Sequence, residues 1–223
     1  MNIQLLDSLL FIGHGILDTA RILCSSLLFG AIGGLLLVLL RYHRLSRLIA
    51  KFLISIIRGT PLILQLNLVY FSAPTLFNIK LSVFWAAVAA CGINSSAYIA
   101  EIFRAGMEVV PSGQFEAAKT LRIPLFYTWK DIILPQVLKN ILPALINEVI
   151  SLLKETAIVG VIGGLDIMRR SQILGAYNFN YFTPLCIAGF YYYFLVTLIE
   201  FLGKRIEKKC SYDQHQKTLP NIK

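Results

Sequence analysis

No residue between Arg21 and Arg41 carries a charge, and the stretch Ile22 to Leu40 is mostly Leu, Ile, Val, Ala and Gly. A helix of ~20 largely apolar residues crosses the hydrocarbon of a bilayer. A backbone in lipid must also satisfy its own hydrogen bonds, which leaves a transmembrane helix as the solution for this stretch. With 16–40 as the first span, four further segments follow at 60–77, 81–103, 138–162 and 183–203. The second is short, and the fourth carries charges that rank it lowest by hydropathy. No alternating strand pattern of the barrel type is present. Composition agrees: 57% of residues are hydrophobic, mean hydropathy is +0.68, and 15% are charged, against about a quarter in soluble domains. The expectation is an all-α membrane protein with about five transmembrane helices.

The net charge of +9 is unevenly placed. Lys and Arg cluster in 41–58, which reads as a basic loop ending the first span, in 104–139 and from Lys204 onward, whereas Arg21, Lys80, Arg169 and Arg170 fall on the other side. The positive-inside rule then puts the N-terminus outside and the C-terminus in the cytoplasm, as an odd number of crossings requires. The basic surplus is thus a topology signal and not a nucleic-acid face. The N-terminus lacks the basic start of a cleaved signal. Residues 1–15, with Gly13 and Gly15, suit a short interfacial helix, and 206–223 read as a polar cytoplasmic tail. Cys24, Cys91, Cys186 and Cys210 form neither a disulfide framework nor a zinc pattern, so no metal site is expected.

Within the spans the polar residues are patterned. On the third, Asn94, Tyr98 and Glu101 recur at i, i+4, i+7 and share a face. Gly92, Ser95, Ser96, Ala97 and Ala100 are small enough for close helix approach, and Ser95 suits either packing or a polar path. Glu101 is placed to pair with Arg104 at i+3. On the fourth, Asn147, Ser151 and Lys154 make one stripe and Glu148, Ser151 and Glu155 another, overlapping at Ser151. Lys154 lies about 20 Å along the helix from Lys139, where a central charge costs at least about 2.5–3.5 kcal/mol to insert. Such groups line a polar path or pair with each other; Lys154 and Glu155 fit both readings.

The segment 104–139 lies on the basic side and is polar and helix-prone. Ser112 is a candidate cap for a short helix from Gln114 to Leu121, with Phe115 and Ala118 on one face. Pro124 opens a second, with Phe126, Trp129 and Ile133 on one side. Pro135 and Pro143 are expected to kink the approach to the fourth span.

Glu116-Ala117-Ala118, followed at fixed spacing by Arg122, Ile132, Leu134 and Pro135, resembles the EAA loop (E-A-A-x3-G-x9-I-x-L-P) of permease subunits of ATP-binding-cassette importers. One position departs: Arg122 stands where the family has Gly, and carries a Cβ penalty if φ is positive there. Arg58-Gly59-Thr60-Pro61-Leu62, with Gln65, resembles the R-G-T-P-L-x-x-Q signature of the polar amino acid branch. There Thr60 is a candidate N-cap and Pro61 suits the first helical turn. Leu153-Lys154-Glu155-Thr156 is similar to that branch's L-K-[DE]-[ST] run.

The resemblance implies an importer-permease fold over 16–205, with a cytoplasmic coupling loop at about 105–137. It assigns ATPase coupling to Gln114, Glu116, Ala117, Ala118, Leu121 and Arg122, and a substrate pathway to Gln65, Asn94, Ser95, Asn147, Ser151, Lys154 and Glu155. The implied function is ATP-driven import of polar amino acids of the arginine, histidine and glutamine class across the bacterial inner membrane by alternating access. The chain lacks a G-x-x-x-x-G-K-[ST] loop and the motifs of an intramembrane enzyme, with His14, His43 and His215 scattered. The resemblance then implies that ATP and Mg belong to a separate ATPase subunit, and no cofactor is expected in this chain. The other implied partners are a second permease, identical or related, an extracytoplasmic amino-acid receptor, and lipid. Two alternatives stay open: a secondary transporter, although no inverted repeat is visible, and a membrane subunit without its own substrate path.

Overall fold

The computed structural model describes residues 2–41 and 44–218; side-chain surroundings are further confined to 5–41, 46–76 and 78–209. The described residues are helical or in short connections. The helices are α1 (Asn2–Gly13), α2 (Gly15–Leu40), α3 (Arg44–Gly59), α4 (Leu62–Phe77), α5 (Val83–Glu108), α6 (Ser112–Thr120), α7 (Leu125–Tyr127), α8 (Leu134–Glu155), α9 (Ile167–Tyr177) and α10 (Phe182–Thr218). A π-helical turn, Thr128–Ile133, joins α7 to α8, and a 3-10 turn, Thr156–Ile162, extends α8.

Among the described residues, three helices are long and apolar enough to cross a membrane: Leu5–Leu40, Val83–Glu108 and Phe182–Lys209. A fourth crossing arises if Ser46–Gly59 and Leu62–Leu76, which meet at 104°, form one broken span. α8 is outside this set, in keeping with its Lys139, Glu148, Lys154 and Glu155. The helix that holds the first span continues towards the N-terminus beyond 16. Gly13 and Gly15 do not break it, because His14 keeps α-helical angles and donates its N–H to Leu10 O at 3.1 Å.

α2 and α5 pack against each other along a seam of small residues. A Cβ on Gly30 would lie 2.9 Å from Ser95 Cβ, so the approach depends on the missing side chain. Ser96, Ala97 and Ala100 are buried, as their size suggested. At the end of the molecule away from α6, Asp166 is fully buried and caps α9, accepting from Met168 N (3.2 Å) and Arg169 N (3.1 Å). Tyr192 Oη donates to the same carboxyl at 3.2 Å. These bonds, with the Arg170–Asp18 pair at 3.3 Å, tie α2, α9 and α10 together.

Several local expectations need correction. The basic segment 41–58 is not a loop: its described part forms α3, with Ala50 and Ile54 buried and Leu48, Ile49 and Phe52 exposed. Thr60 does not cap α4. Its Oγ1 donates back to Ile56 O at 2.9 Å, and the extended Pro61 is the cap residue. Ser112 likewise lies one residue inside α6, after Pro111. Phe126 is exposed, so it does not share the face of buried Ile133. The second helix of the loop runs into α8 through the π turn. Pro135 has no N–H to donate and its ring would crowd a carbonyl one turn back; the widened turn before it relieves that crowding. Of the cysteines, Cys91 is buried while Cys24 and Cys186 are exposed, all as free thiols; the Cys210 side chain lies outside the described residues. α10 continues into the segment expected as a tail, and residues 219–223 are outside the described residues.

Candidate functional site

Two regions gather the residues singled out from sequence. The first is the helical hairpin of α6 and α7. Ala118 is 3% exposed and packs inward, while Phe115 meets Trp129 edge-on with ring centroids 5.6 Å apart. Gln114 and Gln136 exchange hydrogen bonds at 2.9 and 2.6 Å. These residues fasten the hairpin to a cluster of Val110, Ile133, Val137 and Ile141. Glu116, Ala117, Leu121 and Arg122 remain exposed, and Leu125, Phe126 and Tyr127 extend the outward surface. The six predicted residues thus divide: Gln114 and Ala118 hold the hairpin in place, and the other four face outward.

Arg122 has φ 53°, the left-handed conformation that its family counterpart, Gly, adopts without strain. Ile123 N donates to Ala118 O at 3.0 Å and Arg122 N to Lys119 O at 3.1 Å, the paired bonds of a Schellman helix end. An L-residue in this conformation costs about 1–2 kcal/mol. Arg122→Gly relieves that strain but gives the unfolded chain more freedom to lose. The expected net gain is about 1 kcal/mol, a rise of about 2–4 °C in Tm for a chain of this size, read by thermal unfolding in detergent. A lower Tm would mean that the guanidinium makes a contact worth more than the strain.

The second region lies between α5 and α8. Asn94, Tyr98 and Ile102 from α5, with Ala144, Asn147, Glu148, Ser151 and Glu155 from α8, enclose a cavity of about 310 Å³. Buried Ser95 donates to Glu148 Oε1 at 2.8 Å, and Asn94 Nδ2 donates to Glu155 Oε2 at 3.4 Å. Two carboxyl groups, two amides, a hydroxyl and an aromatic ring therefore surround one space a small molecule can enter. The arrangement suits an ammonium or guanidinium, with the ring and Ile102 offering apolar contact.

The predicted pathway residues do not all meet here. Asn94, Asn147, Ser151 and Glu155 line the cavity, and Ser95 anchors Glu148 from behind. Gln65 is elsewhere: its Nε2 donates to Ile57 O (2.7 Å) and to Thr60 O and Oγ1 (3.2 and 2.9 Å), closing the end of α3 at its bend into α4. Lys154 is exposed and, among the described residues, makes no ion pair with Glu155. Glu148 and Tyr98 were absent from the predicted pathway set, although the i, i+3, i+7 and i, i+4, i+7 patterns had already placed each on a polar face.

Between the two regions sits an ion cluster. Glu101 accepts from Arg104 Nε at 2.7 Å, as the i+3 spacing predicted, and also from Arg41. Arg58 stands 3.9 Å from the same carboxylate. Arg41 lies 60 positions away in the chain, beyond the reach of local patterns.

Similarity to known proteins is extensive. Residues 26–212 match the family model described as "Binding-protein-dependent transport system inner membrane component". The chain is 47% identical to the putative glutamine transport system permease protein GlnP of Rickettsia conorii, over 93% of this chain and 96% of that protein. It is 47% identical to the arginine transport system permease protein ArtQ of Bacillus subtilis, over 89% and 92% of the two chains. Among solved structures, an amino acid ABC transporter crystallised with histidines superposes with a TM-score of 0.87 at 36% identity, over 93% of this chain and 97% of that one. The inward-facing MetNI methionine ABC transporter shares the fold, with a TM-score of 0.75 at 21% identity over 90% and 96%. With the family model matching residues 26–212, most of the helical bundle, this chain belongs to the family of binding-protein-dependent transport system inner membrane components, the permease subunits of ABC importers.

Proposed function

We propose that the chain is one half of the translocator of an ABC importer for polar amino acids of the glutamine, arginine and histidine class. The observation that carries the substrate class is the cavity between α5 and α8, in which Glu148 and Glu155 face the same space. Glutamine- and arginine-transport names among relatives matched over most of their length support the same class. A carboxylate receives an ammonium or guanidinium through charge-assisted hydrogen bonds, and the neighbouring amides suit the polar end of a neutral substrate.

The chain crosses the inner membrane five times, α8 included, with the N-terminus outside and the hairpin of α6 and α7 in the cytoplasm. Glu116, Ala117, Leu121 and Arg122 form the surface that meets the ATPase subunit. The exposed polar stripe of Asn147, Ser151 and Lys154 is unfavourable against lipid, and a second permease covers it across a shared polar path. A receptor delivers the amino acid outside, and ATP-driven closure of the ATPase pair opens the path in alternation. ATP hydrolysis belongs to that separate subunit.

The test is ATP-driven uptake in proteoliposomes holding this chain, its ATPase and its receptor, against a panel of polar amino acids. ATP-dependent accumulation of glutamine or a basic amino acid is the expected result. Accumulation that proceeds without ATP, or of none of the panel, would overturn the reading.

A further inference from the structure

A second cavity, of about 370 Å³, lies on the basic side of the first. It is lined by Arg58, Glu101, Arg104 and Asn140 among others, and shares Tyr98, Ile102 and Ala144 with the acidic cavity. Those three residues form the partition between the two spaces, and Tyr98 alone among them carries a π face. The Arg58 guanidinium lies over that face, 5.1 Å from the ring centroid. Arg58 is loosely held. Its side chain is 42% exposed, and its distance to Glu101 is at the outer edge of ion-pair range. Glu101 does not depend on it, because Arg41 and Arg104 already engage that carboxylate.

We infer that Tyr98 is the threshold over which a cationic amino acid leaves the acidic cavity, its own positive group replacing Arg58 on the ring. This rests on the importer reading above and adds a specificity-determining residue to it. The exchange favours the substrate modestly, since exposed Arg58 gives up a water-weakened contact while the desolvated cation gains a stronger one. The gain is modest, so the bound substrate passes the partition without being trapped there. When Arg58 lies on the ring, its charge, beside that of Arg104, opposes the return of cations from the basic side. A neutral amino acid gains no such contact and crosses without it.

The experiment compares Tyr98→Leu and Tyr98→Phe in the complete reconstituted transporter, reading the ratio of arginine to glutamine uptake. Leu removes the π face and Phe retains it, so the ratio is expected to fall about five- to tenfold with Leu and to be restored with Phe. Arg58→Gln is expected to raise ATP-independent arginine exit from preloaded vesicles several-fold. An unchanged ratio in Tyr98→Leu, or equal losses in Leu and Phe, would overturn the proposal, as would arginine exit unaffected by Arg58→Gln. A wild-type chain that imports glutamine but no cationic amino acid would also overturn it while sparing the importer reading. Absence of ATP-dependent uptake of either would overturn both.

Discussion

Glu116→Lys is expected to abolish both co-purification of the ATPase subunit and ATP-driven uptake, while the helical bundle stays folded. Glu116 is exposed on α6, beside Ala117 and five residues before Leu121, which is 72% exposed. Small Ala117 lets a partner backbone come close, and an exposed Leu at such a site is an apolar anchor for a pocket. Charge reversal at the rim of a docking surface sets like charges against each other and costs several kcal/mol, so affinity falls on the order of a hundredfold or more. Fold stability should change little, because the residues that fasten the hairpin, Gln114, Phe115 and Ala118, are untouched. Recovery of the mutant with its ATPase at wild-type yield would show that docking lies elsewhere.

Glu148→Gln is expected to lower arginine uptake, measured as kcat/KM, by about 10–100-fold, and glutamine uptake by much less. The substitution keeps the side chain's size and an oxygen for the 2.8 Å bond from Ser95, so packing between α5 and α8 is preserved. A hydrogen bond to a charged group is worth about 1.5–3 kcal/mol, and the loss falls on the substrate that brings a second positive charge. Equal loss for both substrates would make Glu148 a helix-packing residue; no loss for either would remove it from the path. Glu155→Gln serves as the comparison, since the α5 contact to Glu155 is longer, at 3.4 Å.

The first, third and fifth spans and the hairpin were legible in the sequence because each rests on local signals. Hydropathy over a helix length finds a span, and fixed spacing finds the Glu116 to Pro135 run. Even the strain at Arg122 could be anticipated, from a residue with a Cβ standing where the family has Gly. What sequence could not supply was the neighbour each face meets. Asn147, Ser151, Lys154, Glu148 and Glu155 read as one polar face, overlapping at Ser151. In the fold the carboxylates turn towards α5 while Lys154 points away. A rotation of roughly 100° per residue separates these outcomes, and only the position of α5 decides between them. Gln65 shows the same limit: a polar residue in an apolar span reads as a path lining until the unpaired carbonyls at the end of α3 appear beside it. The segment 41–58 misled for another reason: its charges argued for a loop, whereas buried Ala50 and Ile54 pack one face of a helix against the bundle.

The continuity of the chain from Leu125 to Glu155 has a mechanical meaning. No slack linker separates the outward surface of the hairpin from the carboxylates; one helical rod joins them, with the π turn as its only widened joint. Glu148 sits 14 residues beyond Leu134, about 21 Å along the rod. A tilt of about 5° at the turn would therefore swing the carboxylate by about 2 Å, enough to make or break a hydrogen bond. With the roles proposed above, a push received at the hairpin would arrive at the cavity as a displacement of Glu148 and Glu155.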